Sequence, residues 1–239
     1  TETMNTVILF ISLITSTFLF HQDKPVYECH KTCHEIKVDG KITEEAWKEA
    51  PEAHFIAQDG SQPRLKTRFR WLWDDEYLYG AFYVEDDHLW ASMTERDAYL
   101  WKENVVEFFI NADGCSKSYI EIEINPKNTI LDLFVLNKYN DRTDIRQLWN
   151  WDAKGLEHAV QLMGTLNNAS DRDEGWTFEI AIPFDEVYTS SNHPPKEGDH
   201  WYVDFCRSEG EEKKAREASS WSPPAFHNPL SYGKMIFKK

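Results

Sequence analysis

Residues 65–84 read Leu-Lys-Thr-Arg-Phe-Arg-Trp-Leu-Trp-Asp-Asp-Glu-Tyr-Leu-Tyr-Gly-Ala-Phe-Tyr-Val. In an extended chain, Leu65, Thr67, Phe69, Trp71 and Trp73 share one side, and Lys66, Arg68, Arg70 and Leu72 share the other. That period of two marks a half-buried strand. Asp74-Asp75-Glu76 is a polar turn, and Tyr77 to Val84 is aromatic and β-branched, so the stretch reads as a hairpin.

The same pattern continues along the chain. Asn104 to Ile110 is a strand, with a turn at Asn111-Ala112-Asp113-Gly114. Tyr119 to Asn125 sets Ile120, Ile122 and Ile124 against Glu121 and Glu123, and Thr129 to Leu136 follows after Asn125-Pro126-Lys127-Asn128. Further strands are Ala159 to Leu166, Trp176 to Ile182, Trp201 to Cys206 and Lys234 to Phe237. Helical signal is confined to Thr43 to Ala50 and Asp185 to Tyr188, and long loops fall at 137–153 and 207–220. Short strands at regular spacing with turn chemistry between them imply an all-β fold, an antiparallel two-sheet β-sandwich.

The 239 residues carry 26 Lys and Arg against 41 Asp and Glu, a net charge of −15. That charge argues against nucleic acid and anionic membrane surfaces as partners, because binding phosphates needs an excess of cations. Ten Trp suit flat neutral ligands as well as a core. Val7 to Phe20 is uncharged, short for a bilayer span and right for the apolar part of a signal peptide. The expected organisation is a signal peptide or N-terminal hydrophobic segment at 1–22, a Cys/His segment at 23–34, and one sandwich domain at 35–239 of an exported protein. No transmembrane span is expected beyond the N-terminal segment. Cys29 and Cys33 leave a local disulfide open, and the reading favoured for 23–34 is a surface segment. Cys29-His30-Lys31-Thr32-Cys33-His34 has one residue too many between its cysteines for haem attachment, and lacks a second ligand pair for zinc.

Several clusters could carry chemistry. Arg64, Lys66, Arg68 and Arg70 form a basic row, read as a solvated face paired across strands with Glu residues such as Glu121 and Glu123. Glu121 and Glu123 lie two apart on one strand face, about 6.5–7 Å by twice the strand rise. That overlaps the carboxylate spacing of inverting glycosidases, and any Glu-x-Glu strand gives it. Phosphate loops, nucleophile elbows, zinc-protease motifs and EF-hands are absent from the sequence. Oxygen-rich loops at Asp74-Asp75-Glu76, Glu85-Asp86-Asp87, Asp113-Gly114 and Asp171-Arg172-Asp173-Glu174 leave calcium (Ca2+) open beside a simple turn role.

Five stretches occur in a telling order: Val38-Asp39-Gly40-Lys41-Ile42 with Trp47; Trp73-Asp74-Asp75-Glu76-Tyr77-Leu78-Tyr79; Val105-Val106-Glu107-Phe108-Phe109-Ile110; Gly175 to Pro183; and Trp221-Ser222-Pro223 with a closing Gly233. Together they resemble carbohydrate-binding module family 9, in particular its stand-alone, exported, family 9-like bacterial proteins, over residues 34–238. The resemblance implies a sandwich that binds the ends of oligo- or polysaccharides without catalysis, serves polysaccharide catabolism and has glycoside hydrolases as partners. Calcium is bound in some members. It also implies that the sugar lies between two rings, here Trp101 and Phe226, with Glu107 as hydrogen-bond acceptor. Glu123 stands where characterised members carry a basic residue, and Asn104 and Asn111 stand where Asp is usual. Glu121, Glu123 and Asn228 complete the expected carbohydrate-binding set. Two other classes stay open: a glycoside hydrolase-associated enzyme using the Glu pair, and a haem-binding relative ligated by Met93, Met163 or Met235 with His158 or His227.

Overall fold

The computed structural model describes residues 24–210, 217–224 and 226–239, so the expected signal segment at 1–22 lies outside the described residues. The described chain is almost entirely strand. The early strands are β1 (Val26–Lys31), β2 (Ala53–His54), β3 (Ile56–Ala57), β4 (Thr67–Trp73) and β5 (Tyr77–Glu85). The middle of the chain forms β6 (Val105–Asn111), β7 (Ser118–Ile124), β8 (Ile130–Asn137), β9 (Ile145–Leu148) and β10 (Glu157–Met163). The last strands are β11 (Gly175–Pro183), β12 (His200–Glu209), β13 (Glu217–Ser220) and β14 (Gly233–Lys238). One short helix, α1 (Ala46–Glu49), lies between β1 and β2.

The hydrogen-bonded path runs β10-β11-β5-β4-β1-β14-β12-β6-β7-β8-β9. Its two halves are antiparallel and meet through β1, which is parallel to both β4 and β14. Five strand steps separate β5 from β6 on this path, about 24 Å in a flat sheet at ~4.8 Å per strand. Yet the rings of Phe82 on β5 and Phe108 on β6 lie 5.1 Å apart. Trp71 on β4 stacks on Phe205 of β12 at 5.0 Å. The path therefore folds back on itself into two facing layers with an aromatic core between them. Even-numbered residues of β6 and β7, such as Phe108, Ile120 and Ile122, enter this core. Odd-numbered residues must then cover the opposite face of the same layer, because side chains alternate.

The entry of the chain is clipped to the other layer. Glu179 on β11 is fully buried. Its carboxylate accepts from the Asp39 and Gly40 backbone N–H groups at 3.0 and 2.9 Å and from Trp47 Nε1 at 2.8 Å. Gly40 has φ +83°, and a Cβ there would lie 2.8 Å from the Val160 backbone, so only glycine fits. The family-like residues at 38–47 and 176–182 thus hold the fold together.

Three expectations need correction, and the disulfide left open between Cys29 and Cys33 is not formed. The 23–34 segment is no surface tail: β1 lies between β4 and β14, with Cys29 fully buried. Cys29 is buried, Cys33 is exposed and both are free, because alternation turns Cys29 into the core. The loops at 137–153 and 207–220 contain β9, which pairs β8, and β13, which pairs both β12 and β3. The basic row is paired, though not with Glu121 or Glu123. Arg68 and Arg70 bond Glu52 at 2.7 and 3.0 Å, and Arg64 bonds Asp87 at 2.8 Å and Glu209 at 3.1 Å. The row sits on the layer that does not carry Glu121 and Glu123.

Candidate functional site

The outward face of β6, β7, β8 and β12 carries a second apolar cluster containing Val105, Phe109, Tyr119, Leu131, Leu133 and Cys206. Glu107, Glu121 and Glu123 stand among these residues. Register sets Glu107 directly opposite Glu123, and Phe109 opposite Glu121. Leu131 and Leu133 flank Glu123 and Glu121 on the next strand. The turn Leu100–Lys102 and the segment after Trp221 cover this face, and between them opens a cleft of about 530 Å3. Its walls include Trp101, Glu107, Glu121, Glu123, Phe226 and His227, with Arg142, Ile145 and Gln147 closing one side.

The carboxylates are the unusual feature. Glu107, Glu121 and Glu123 are 3%, 2% and 1% exposed. One oxygen from each lies within 4.8 Å of the others. Among the described residues, Oε2 of Glu121 and Oε2 of Glu123 are buried with no hydrogen-bond partner. Burial, and then the charge of Glu107, push the Glu121 carboxyl up to about 8, and the same two causes drive Glu123 well above the usual carboxylate range. His227 shares a 2.8 Å hydrogen bond between its Nδ1 and the Tyr119 hydroxyl, and its Nε2 lies 3.8 Å from Glu121. Burial, helped by Arg142, lowers its pKa to about 4, so the ring is neutral at pH 7.

The aromatic residues are held from behind. Trp101 packs on Tyr99 at 4.8 Å and Trp149 at 6.2 Å, while Tyr99 and Trp149 are themselves exposed at the rim. Phe226, at φ +61°, packs edge-on against Phe109 at 6.4 Å, and the Arg142 guanidinium lies 5.3 Å from its ring centre. Five of the six expected carbohydrate-binding residues (Trp101, Glu107, Glu121, Glu123 and Phe226) meet in this cleft. Asn228 does not line it. Its backbone oxygen accepts from the Ser231 N–H at 2.9 Å and the Ser231 hydroxyl at 2.8 Å, so it serves the turn behind Phe226. Sequence reading had His227 only as an alternative haem ligand and missed Arg142, Ile145 and Gln147. The last two lie on β9, a four-residue strand too short for its sequence to show a period.

The Glu pair does not keep the separation of an inverting glycosidase. Convergence of the side chains brings the oxygens within 4.8 Å, against about 6.5–9.5 Å where a water must fit between carboxyls. The oxygen-rich loops do not fit calcium. Asp86, Asp87 and Glu209 converge, but Arg64 bonds Asp87 and Glu209 and Arg207 bonds Glu209, so cationic side chains already neutralise the group. Asp97, Asp132 and Asp152 converge around Arg96, which bonds Asp132 and Asp152. Asp74, Asp113 and Asp173 accept backbone N–H groups as turn residues. Of the residues left open as haem ligands, Met235 belongs to the inner core, Met93 packs on the outer apolar cluster, Met163 is exposed on β10, the His158 ring bonds Asn128 at 2.8 Å and the His227 ring bonds the Tyr119 hydroxyl at 2.8 Å.

Residues 38–239 match the model of the family described as carbohydrate family 9 binding domain-like. No curated protein matches the chain. Among solved structures, the fold is similar to a carbohydrate binding module family 9 from Caldicellulosiruptor kristjanssonii in complex with cellotriose. There the TM-score is 0.63 at 16% identity, over 90% of this chain and 94% of that one. The same organism's module in complex with glucose gives 0.60 at 14% identity, over 88% and 95%. A candidate carbohydrate-binding protein from Bacteroides uniformis gives 0.67 at 17% identity, over 90% and 100%.

Proposed function

The chain belongs to the carbohydrate family 9 binding domain-like family, and from that premise we propose that it binds the end of an oligo- or polysaccharide in the cleft between Trp101 and Phe226, without cleaving it. The observation that carries the proposal is the joint placement of two supported aromatic rings and three convergent carboxylates in one cleft of about 530 Å3, a volume suited to a small organic ligand. A pyranose has apolar C–H faces and a rim of hydroxyls. Rings stack on the faces, and carboxyl groups hydrogen-bond the hydroxyls of the rim. Solved relatives of the same fold hold cellotriose and glucose.

The same geometry supports a non-catalytic reading. An acid and a base must flank the scissile bond with separated pKa values. Glu121 and Glu123 are instead neighbours on one strand and are pushed upward together. The proposed setting is an exported protein that delivers sugar chains to glycoside hydrolases, with the apolar stretch at 7–20 as the export signal. A glycan array probed with the mature chain tests the reading. Binding to a set of sugars sharing one terminal unit, with no new reducing ends after prolonged incubation, is the expected result. An array with no hit overturns binding, and turnover abolished by Glu121→Gln overturns the non-catalytic part.

A further inference from the structure

The wall of the cleft that β9 supplies runs on past the end of the strand. In β9, Ile145 and Gln147 are half-buried and line the cleft, while Arg146 and Leu148 are exposed. Side chains alternate along a strand, so the odd-numbered row is the cleft side. Trp149 is next in that row. Its ring lies 6.2 Å from Trp101 and 5.6 Å from Tyr99, and Tyr99 lies 4.8 Å from Trp101. Three rings from two distant segments therefore adjoin at the mouth of the cleft. Of these, Trp101 lines the cleft itself. The other two are exposed, Trp149 by 37% and Tyr99 by 51%. A ring that merely braced Trp101 would be expected beneath it, out of water, because large apolar surface gains by burial. Tyr99 is partly capped, with Lys102 Nζ 5.2 Å from its ring centre. Trp149 meets Tyr99 and Trp101 at interplanar angles of 69° and 51°, so neither ring stacks flat on the indole. Exposed aromatic surface continuous with a concave site marks a place of binding.

We propose that Trp149, with the exposed edge of Tyr99, forms a second sugar subsite: the terminal unit sits between Trp101 and Phe226, and the next unit of a neutral glycan chain lies on the Trp149 indole as the chain leaves the cleft. The inference rests on the sugar-binding reading above and names the ligand as a polymer chain end, bound through more than its last unit. An indole offers a flat apolar face for the C–H groups of a pyranose and one N–H donor for a hydroxyl. Gln147 stands between the two subsites on the same row, and its amide can both donate to and accept from hydroxyls near the junction. Stacking on rings carries no charge preference, and a chain of net charge −15 disfavours anionic polymers. Because Trp149 lies outside the cleft proper, it adds nothing to the binding of a single sugar. Affinity should therefore rise with the length of the glycan, and Trp149 should carry that rise.

The test is calorimetry on the purified protein with glucose, mannose and xylose and with the β-1,4 trimer of each. The expected result, in the series that binds, is a trimer held about tenfold tighter than its monosaccharide, the share of one further stacked ring. Trp149→Ala should cut that ratio to about threefold or less while leaving monosaccharide affinity within about twofold of wild type. Trp149→Tyr, which keeps a ring in place, should restore most of the ratio, and a thermal melt checks the fold of both variants. A ring that only braces Trp101 would weaken monosaccharide and trimer alike in Trp149→Ala, and that result overturns the subsite. Equal binding of monosaccharide and trimer by wild type also overturns it and leaves the sugar-binding reading standing. Failure of every sugar, here and on the array, overturns both. Unchanged affinities together with a Trp149-dependent dimer in sedimentation would make the exposed rings a self-association face and overturn the inference.

Discussion

Replacing Glu121 by Gln should stabilise the protein, and by an amount that grows with pH. The carboxyl is 2% exposed, has an unpartnered oxygen among the described residues and faces two other glutamates. Its pKa rises from 4.5 to about 8 on folding. Between those values the folded chain keeps a proton that the unfolded chain gives up, so the folded state binds more protons and stability falls as pH rises. The 2.5 pH units between 4.5 and neutrality are worth about 3 kcal/mol at ~1.36 kcal/mol per unit. A glutamine amide of the same shape escapes this penalty but needs partners of its own, at roughly 1 kcal/mol. A net gain of about 2 kcal/mol at pH 7 remains, or roughly 4–8 °C in Tm for a chain of this size. Below pH 4.5 both states are protonated and the gain should vanish. Thermal unfolding of wild type and variant, followed by circular dichroism from pH 4.5 to 8, measures this. A variant that melts lower than wild type at pH 7, or whose advantage does not change with pH, would refute the reasoning. A residue kept at such a cost is expected at a binding site, where stability is commonly traded for function.

Three further outcomes follow from the packing. Glu179→Ala leaves the Asp39 and Gly40 N–H groups and the Trp47 indole without their acceptor, and should cost about 3 kcal/mol or more, read as the midpoint shift in urea at unchanged slope. Gly80→Ala places a Cβ 2.7 Å from the Trp71 ring on the neighbouring strand, and should cost about 1–3 kcal/mol by overpacking, read the same way. Exposed Cys33 and Cys115 should react with a thiol reagent in the native protein, and buried Cys29 and Cys206 only after unfolding; a native count of four, or protection of Cys33, contradicts the fold around β1.

The hairpins were legible because period two survives wherever one face is buried and the other is not. β4 with β5 and β7 with β8 pair as their sequences imply. β1 escaped notice because Val-Tyr-Glu-Cys-His-Lys carries only two buried side chains, and its Cys and His suggested a different chemistry. β9 and β13 are four-residue strands inside charged stretches, too short for periodicity to register. At the site, Trp101, Glu107 and Phe226 could be picked out through the family resemblance. The convergence of Glu107 with Glu121 and Glu123 depends on β6 and β7 being neighbours in a particular register, which local sequence does not encode. Arg142 reaches the cleft from a loop distant in sequence, and for it only the folded chain carries the signal.

The account stands most directly on whether the two aromatic walls hold sugar. Calorimetric titration of the strongest array ligand into wild type, Trp101→Ala and Phe226→Ala should show each alanine variant weakened by about 1–3 kcal/mol, the area-burial value of a large apolar side chain, with melting behaviour close to wild type. Folded variants that bind the ligand as tightly as wild type would show that the cleft is not where the sugar sits.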